Sequence, residues 1–144
     1  MATMPPAYWI APWFAPTWDD VVAAFRTAIA ETPVDQPLAF FGFDGLLQQH
    51  ADPTAPELDA IFGDRMVMVF GNSGHTSYVT TAVLEHLGWV KNPPTDPVGG
   101  FFGRNADGSL SGVATEIPAA MAQAAPVLEA IATGPHPLQG AVEY

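Results

Sequence analysis

Apolar and polar positions follow different rhythms along this chain, and each rhythm predicts a different element. Val21, Val22, Phe25, Ala28 and Ile29 recur at helical spacing and form one apolar stripe, so a helix is expected from Thr17 until Pro33 stops it. Thr17 and Asp20 have the spacing of a capping box, and Asp19 with Asp20 suits the positive end of the helix dipole. LAFFGF at 38–43 and MVMVF at 66–70 are nearly unbroken apolar runs, which predict short strands buried on both faces, as in a parallel sheet. Between them, residues 53–62 predict a short helix, with Thr54 as cap, Pro56 early, and Leu58, Ile61 and Phe62 facing inward. Strand, helix, strand, helix is the order of an α/β fold with parallel strands.

After the second strand comes a glycine-rich turn, Gly71-Asn72-Ser73-Gly74-His75. Thr76 or Ser77 is then expected to cap a helix containing Val79, Ala82, Val83, Leu84 and Leu87, with His86 in its last turn. Beyond Gly88 a proline-rich connector, KNPPTDP, leads to FFGRNADGSLSGVATE, which predicts two short strands joined by a turn at 105–108. Residues 117–132 are alanine-rich and predict a helix that Pro126 should kink or divide. From Gly134 onward the chain reads as loosely ordered. At the other end, prolines at 5, 6, 12 and 16 alternate with Tyr8, Trp9, Trp13 and Phe14. Proline opposes regular hydrogen bonding and aromatics need burial. Residues 1–16 are therefore either an extended arm packed on the body or a surface that lacks its partner.

Composition narrows the picture. A chain of 144 residues amounts to one domain, and 49% hydrophobic residues allow a sizeable core. The net charge is −11, and Arg26, Arg65, Lys91 and Arg104 are scattered, so neither nucleic acid nor an anionic membrane is an expected partner. The absence of cysteine excludes disulfides, thiolate zinc sites and a cysteine nucleophile, and fits a reducing, cytoplasmic setting. No apolar run reaches the roughly 18 residues of a bilayer span. The first 18 residues lack the basic and continuous apolar regions of a signal peptide.

Few residues are placed to carry chemistry. His75 sits just after a strand end, where imidazole can bind a metal, accept a proton or hold a carbonyl, or else serve a local capping bond. Asp44 ends the first strand, a place where α/β folds put functional residues, although an aspartate before glycine is also a plain turn-former. Glu116 closes the second hairpin, and with Asp44 it is a candidate for acid/base work. His50, in the polar loop QQHADPT, reads as solvated. There is no GxGxxG, Walker loop, GxSxG, HExxH or CxxC, and no two histidines stand at a metal-binding spacing. A complete metal site within one copy is not expected.

Taken in order over residues 65–116, Ser73-Gly74-His75, Thr80-Thr81, Leu84, Pro97, Gly99-Gly100, Arg104, Asp107-Gly108, Gly112-Val113 and Glu116 form a pattern. It resembles the branch of the metal-dependent amidohydrolase superfamily that includes N-substituted formamide deformylases. There the turn reads Asp-Gly-His and the following pair Asn-Ser; here Ser73 replaces the aspartate and Thr80-Thr81 the pair. The resemblance implies a TIM-barrel enzyme, of which a chain this short would be an internal piece, since a barrel alone needs about 250 residues. The implied fold is α/β: a partial TIM-barrel segment of two parallel-type strands with helices, plus an inserted β-hairpin and a C-terminal helix. The implied organisation is a single partial domain, with the arm at 1–16, strand–helix units at 17–90 and hairpin and helix at 97–133. The implied activity is metal-assisted hydrolysis of C–N bonds in a small-molecule amide or formamide. A divalent metal, zinc by resemblance, would be held in the full-length enzyme by a His-x-His pair upstream and further ligands downstream, none of which this chain contains. The chain alone is expected to hold no metal and to be inactive. Within it, His75, Gly74 and Asp44 are expected at the substrate, and Glu116 at metal or substrate or in structural support. The alternative is a standalone α/β binding or oligomerisation module of the same descent, completed by a homo-oligomer.

Overall fold

The two apolar runs pair with each other, and the aromatic arm joins them. In the computed structural model, which describes residues 7–133, β1 (Ala7–Trp9), β2 (Leu38–Phe43) and β3 (Val67–Gly71) run parallel. α1 (Trp18–Glu31) and α2 (Ala55–Phe62) connect them. β4 (Thr76–Val79), α3 (Thr81–His86), β5 (Phe101–Arg104), β6 (Leu110–Thr115) and α4 (Ile117–Thr133) follow. The later strands extend the sheet by antiparallel pairing, giving six strands in the order β1-β2-β3-β4-β6-β5. The fold is mixed α/β, with the expected hairpin and C-terminal helix and with three parallel strands instead of two. Residues 1–6 of the arm and the tail from Gly134 lie outside the described residues.

Strand alternation sorts the side chains onto two faces. Leu38, Phe40, Val67, Val69 and Tyr78 point to the face covered by Val21, Phe25 and Ala28 of α1 and by Leu58 and Phe62 of α2. Ala39, Met68, Phe70, Val79 and Ala114 point to the opposite face, under Val83 and Leu84 of α3 and Ala119, Ala120, Ala124 and Val127 of α4. Burying an aliphatic or aromatic side chain of this kind contributes roughly 1.5–3 kcal/mol, so packing on the sheet outweighs helix propensity in both layers. The capping box at Thr17 forms as expected: the Thr17 hydroxyl accepts the Asp20 amide, and the Asp20 carboxylate accepts the Thr17 amide. α4 runs through Pro126 undivided. Ala124, Pro126 and Val127 are all buried there, and that packing offsets the backbone bond Pro126 cannot make.

Two expectations need correction. Residues 76–79 are a strand and not the first turn of a helix; α3 starts only at Thr81. Ser77 and Val79 face α4 and Tyr78 faces the other layer, so a period of two buries this segment on both sides of the sheet. His50 is not a solvated loop residue. Its ring stacks on Trp18 at 3.7 Å and 3°, and its Nε2 lies 2.7 Å from Glu57 Oε2, which ties the loop after β2 to both α1 and α2. No helix among the described residues is long and apolar enough to cross a membrane.

Candidate functional site

The site is built where the parallel strands end. β3 finishes at Gly71, and a four-residue loop, 72–75, returns the chain as β4. The Asn72 amide donates to the Phe43 carbonyl at 2.6 Å, so the loop is anchored to the end of β2. Gly74 has φ 80°, a conformation that glycine adopts without steric penalty. The Ser73 hydroxyl, at the position where the resembling pattern carries aspartate, accepts the His75 amide at 3.2 Å.

Sheet register then brings a distant carboxylate to this loop. Thr76 of β4 pairs with Thr115 of β6, which makes His75 and Glu116 neighbours across the ladder. His75 Nδ1 lies 3.4 Å from Glu116 Oε1, and both side chains are about half exposed. Glu116 reaches it from a left-handed backbone, φ 69°, which a side chain bearing a Cβ adopts only at a cost. Its carbonyl accepts the Ala119 and Ala120 amides, so the same residue opens α4. A buried polar knot holds α4 in place behind it. Gln123 Nε2 donates to Gly112 O at 2.9 Å and to Ser77 Oγ at 3.2 Å, and the Ser77 hydroxyl donates to Ala120 O at 3.0 Å.

Beside this pair lies a groove of about 410 Å³. Its floor is a row of three aromatic residues at matching register, Trp9 to Phe41 to Phe70, with ring centroids 5.8 and 6.0 Å apart. Met121 and Leu128 of α4 form one wall, and Asn72, Ser73 and Gly74 form the polar end. A concave apolar site of this size with a few polar groups at one end suits a small organic ligand. The sequence marked Trp9 only as an aromatic needing burial, placed Phe41 and Phe70 in buried strands, and read 117–132, which holds Met121 and Leu128, only as a helix. What signals the groove is that these residues share one face which α4 covers incompletely.

Of the four sequence candidates, Gly74 lines the groove, and His75, next to it in the chain, meets Glu116. Asp44 is directed elsewhere. Its carboxylate accepts the Leu46 and Leu47 amides at 3.1 and 3.0 Å, closing its own turn. Its charge lies near Tyr78, on the other face of the sheet. The Tyr78 hydroxyl donates to Asp52 Oδ1 at 2.9 Å, and burial pushes its pKa up.

His75 and Glu116 offer one nitrogen and one carboxylate, short of the three protein ligands that a catalytic zinc site uses. Among the described residues, no group of three His, Cys, Asp or Glu could hold a metal ion. The donor set of the described residues does not fit a complete metal centre.

No family model and no curated protein matches the chain. Among solved structures it is similar to an uncharacterized metal-dependent hydrolase from Pyrococcus horikoshii OT3, with a TM-score of 0.54 and 15% sequence identity. The likeness covers 89% of this chain and 23% of that chain, so this chain spans less than a quarter of the hydrolase's length. At this identity the likeness is one of fold.

Proposed function

We propose that this chain is the substrate-facing part of a metal-dependent hydrolase that cleaves C–N bonds of small amides or formamides. The metal ligands lie on polypeptide outside the chain. The observation that carries this reading is the 73–75 turn, whose Ser73 and Gly74 line one end of an apolar groove and whose His75 meets Glu116, 41 positions further along the chain. Both partners belong to the pattern that resembles the amidohydrolase branch, and the fold likeness is to a protein described as a metal-dependent hydrolase. On this reading β1, β2 and β3, with α1 and α2 on one face, are a segment of a TIM barrel. β4 to β6 then extend the sheet beside β3 with α4 on its other face, and the 72–75 loop stands at the strand ends, where such enzymes place their sites. The residues here bind and orient: the groove takes the hydrocarbon part of the substrate, His75 meets its polar group, and Glu116 holds the imidazole. The chemistry of the metal is assigned to residues elsewhere.

The test uses the chain itself and N-butylformamide as probe, followed by NMR of the His75 ring and the Trp9 indole. Both resonances should shift saturably, and His75→Ala should abolish the shift at Trp9 or weaken it severalfold. Shifts confined to other residues, or unaltered by His75→Ala, would sink the substrate-facing role. Release of formate by this chain with one equivalent of zinc would sink the assignment of the metal ligands to other polypeptide.

A further inference from the structure

We propose, resting on the reading of the groove as the substrate's site, that Asn72 selects the substrate and that the class it selects is the primary carboxamide of an apolar acid. Asn72 lies two residues beyond Phe70, one alternation of the strand, and lines the same groove at the end of its aromatic floor. Its main chain is held on both sides. The Asn72 amide donates to the Phe43 carbonyl at 2.6 Å, and the Gly74 amide donates to the Gly71 carbonyl at 3.0 Å, which makes Asn72 and Ser73 the central residues of a tight turn. The carboxamide is therefore placed before a ligand arrives, and little beyond its own side-chain torsions is left to order.

The groups at this end differ in what they leave free. The Ser73 hydroxyl already accepts the His75 amide at 3.2 Å, and Gly74 has no side chain. The Asn72 carboxamide is exposed and has no hydrogen-bond partner among the described residues. It presents a carbonyl acceptor and an N–H donor side by side. A primary carboxamide presents the same two groups, so the two can join by a pair of parallel N–H to O bonds, one in each direction. An N-substituted amide in its stable trans form carries its N–H and C=O on opposite sides and makes only one of these bonds. A carboxylate has no donor and meets a second obstacle. No side chain lining the groove is charged, and the chain as a whole carries −11. An anion would lose hydration there without a counter-charge, against the field of the protein. The groove thus favours the amide over the acid that its hydrolysis leaves.

NMR titration of the 144-residue chain, read at the Trp9 indole, tests this with pentanamide, N-methylpentanamide, pentanoate and pentanamidine. Pentanamide should bind most tightly, by about five- to tenfold over N-methylpentanamide for the one bond lost, and by more over pentanoate. Asn72→Ala should remove the preference over N-methylpentanamide. Asn72→Asp exchanges the donor for a second, charged acceptor. It should weaken pentanamide by about tenfold and strengthen pentanamidine, a cation of the same shape with two N–H donors, by a similar factor. Such a reversal does not come from a merely structural role. Circular dichroism would establish that both variants keep the fold. Saturable binding of pentanamide with its preference unaltered in Asn72→Asp, or equal binding of pentanamide and N-methylpentanamide to the unaltered chain, would overturn the role of Asn72 and leave the groove standing as a substrate site. If none of the four ligands shifts Trp9, both the role of Asn72 and the substrate groove fall.

Discussion

Glu116 offers a direct test of whether this chain keeps a strained backbone for the sake of a side chain. Its φ of 69° is the left-handed conformation, and its carboxylate is the one brought to His75. Replacing it by glycine and, separately, by alanine removes the carboxylate in both cases. The two variants differ only in the Cβ. A Cβ in this conformation costs roughly 1–2 kcal/mol, whereas glycine loses roughly 0.5–1 kcal/mol more chain entropy on folding than alanine does. The strain is the larger effect, so Glu116→Gly should be more stable than Glu116→Ala by about 0.5–1 kcal/mol. The usual order at the start of a helix would be reversed or flat. The lost His75 contact lowers both variants equally, and little, because the pair is half exposed. Urea unfolding followed by circular dichroism reads the difference, which corresponds to about 1–4 °C in Tm for a domain of this size. If Glu116→Ala proves as stable as Glu116→Gly or more so, the backbone at this position is not strained. The inference that the fold holds Glu116 there for its carboxylate then fails.

Two further outcomes follow from buried polar groups. Gln48 is buried and makes three hydrogen bonds through its side chain, to Ile10 O, Ala15 O and the Asp44 amide. Gln48→Ala leaves these backbone groups unpaired and should destabilise the chain by about 2–4 kcal/mol, read as a lower urea midpoint with an unchanged slope. Burial raises the pKa of Tyr78 above its ordinary value near 10, so its contribution to stability is fully present below about pH 10 and is lost as pH rises above it. The unfolding free energy should fall by at most about 1.4 kcal/mol per pH unit from this group. Tyr78→Phe should remove that part of the slope and leave the smaller part due to Tyr8, which burial shifts in the same direction; an unaltered slope would show that Tyr78 is not the group responsible.

The sequence by itself determined the elements that are set locally. Thr17 and Asp20 form their capping box from side chains three residues apart, and the 105–108 turn closes on itself through bonds between Asn105, Gly108 and Ser109. The apolar runs at 38–43 and 66–70 could hardly be anything but buried strands. Residues 76–79 show where this legibility stops. Thr-Ser-Tyr-Val holds three residues that suit a strand, but it is too short to stand apart from the helical spacing that follows, and it becomes a strand because β3 on one side and β6 on the other offer it a ladder on both edges. The site divides in the same way. His75 was legible because glycines around a strand end mark a turn, and Glu116 because it falls in a recognisable order of residues. Their contact was not legible, because it depends on the register Thr76 to Thr115 and on a left-handed residue that no local pattern announces. The groove lay furthest from the sequence. Trp9, Phe41 and Phe70 belong to three strands, and nothing in any one of them says that α4 will cover the sheet beside Met121 and leave that row open. Local chemistry chooses turns, caps and strands within a few residues; which side chains meet is decided by pairing and packing among segments far apart in the chain.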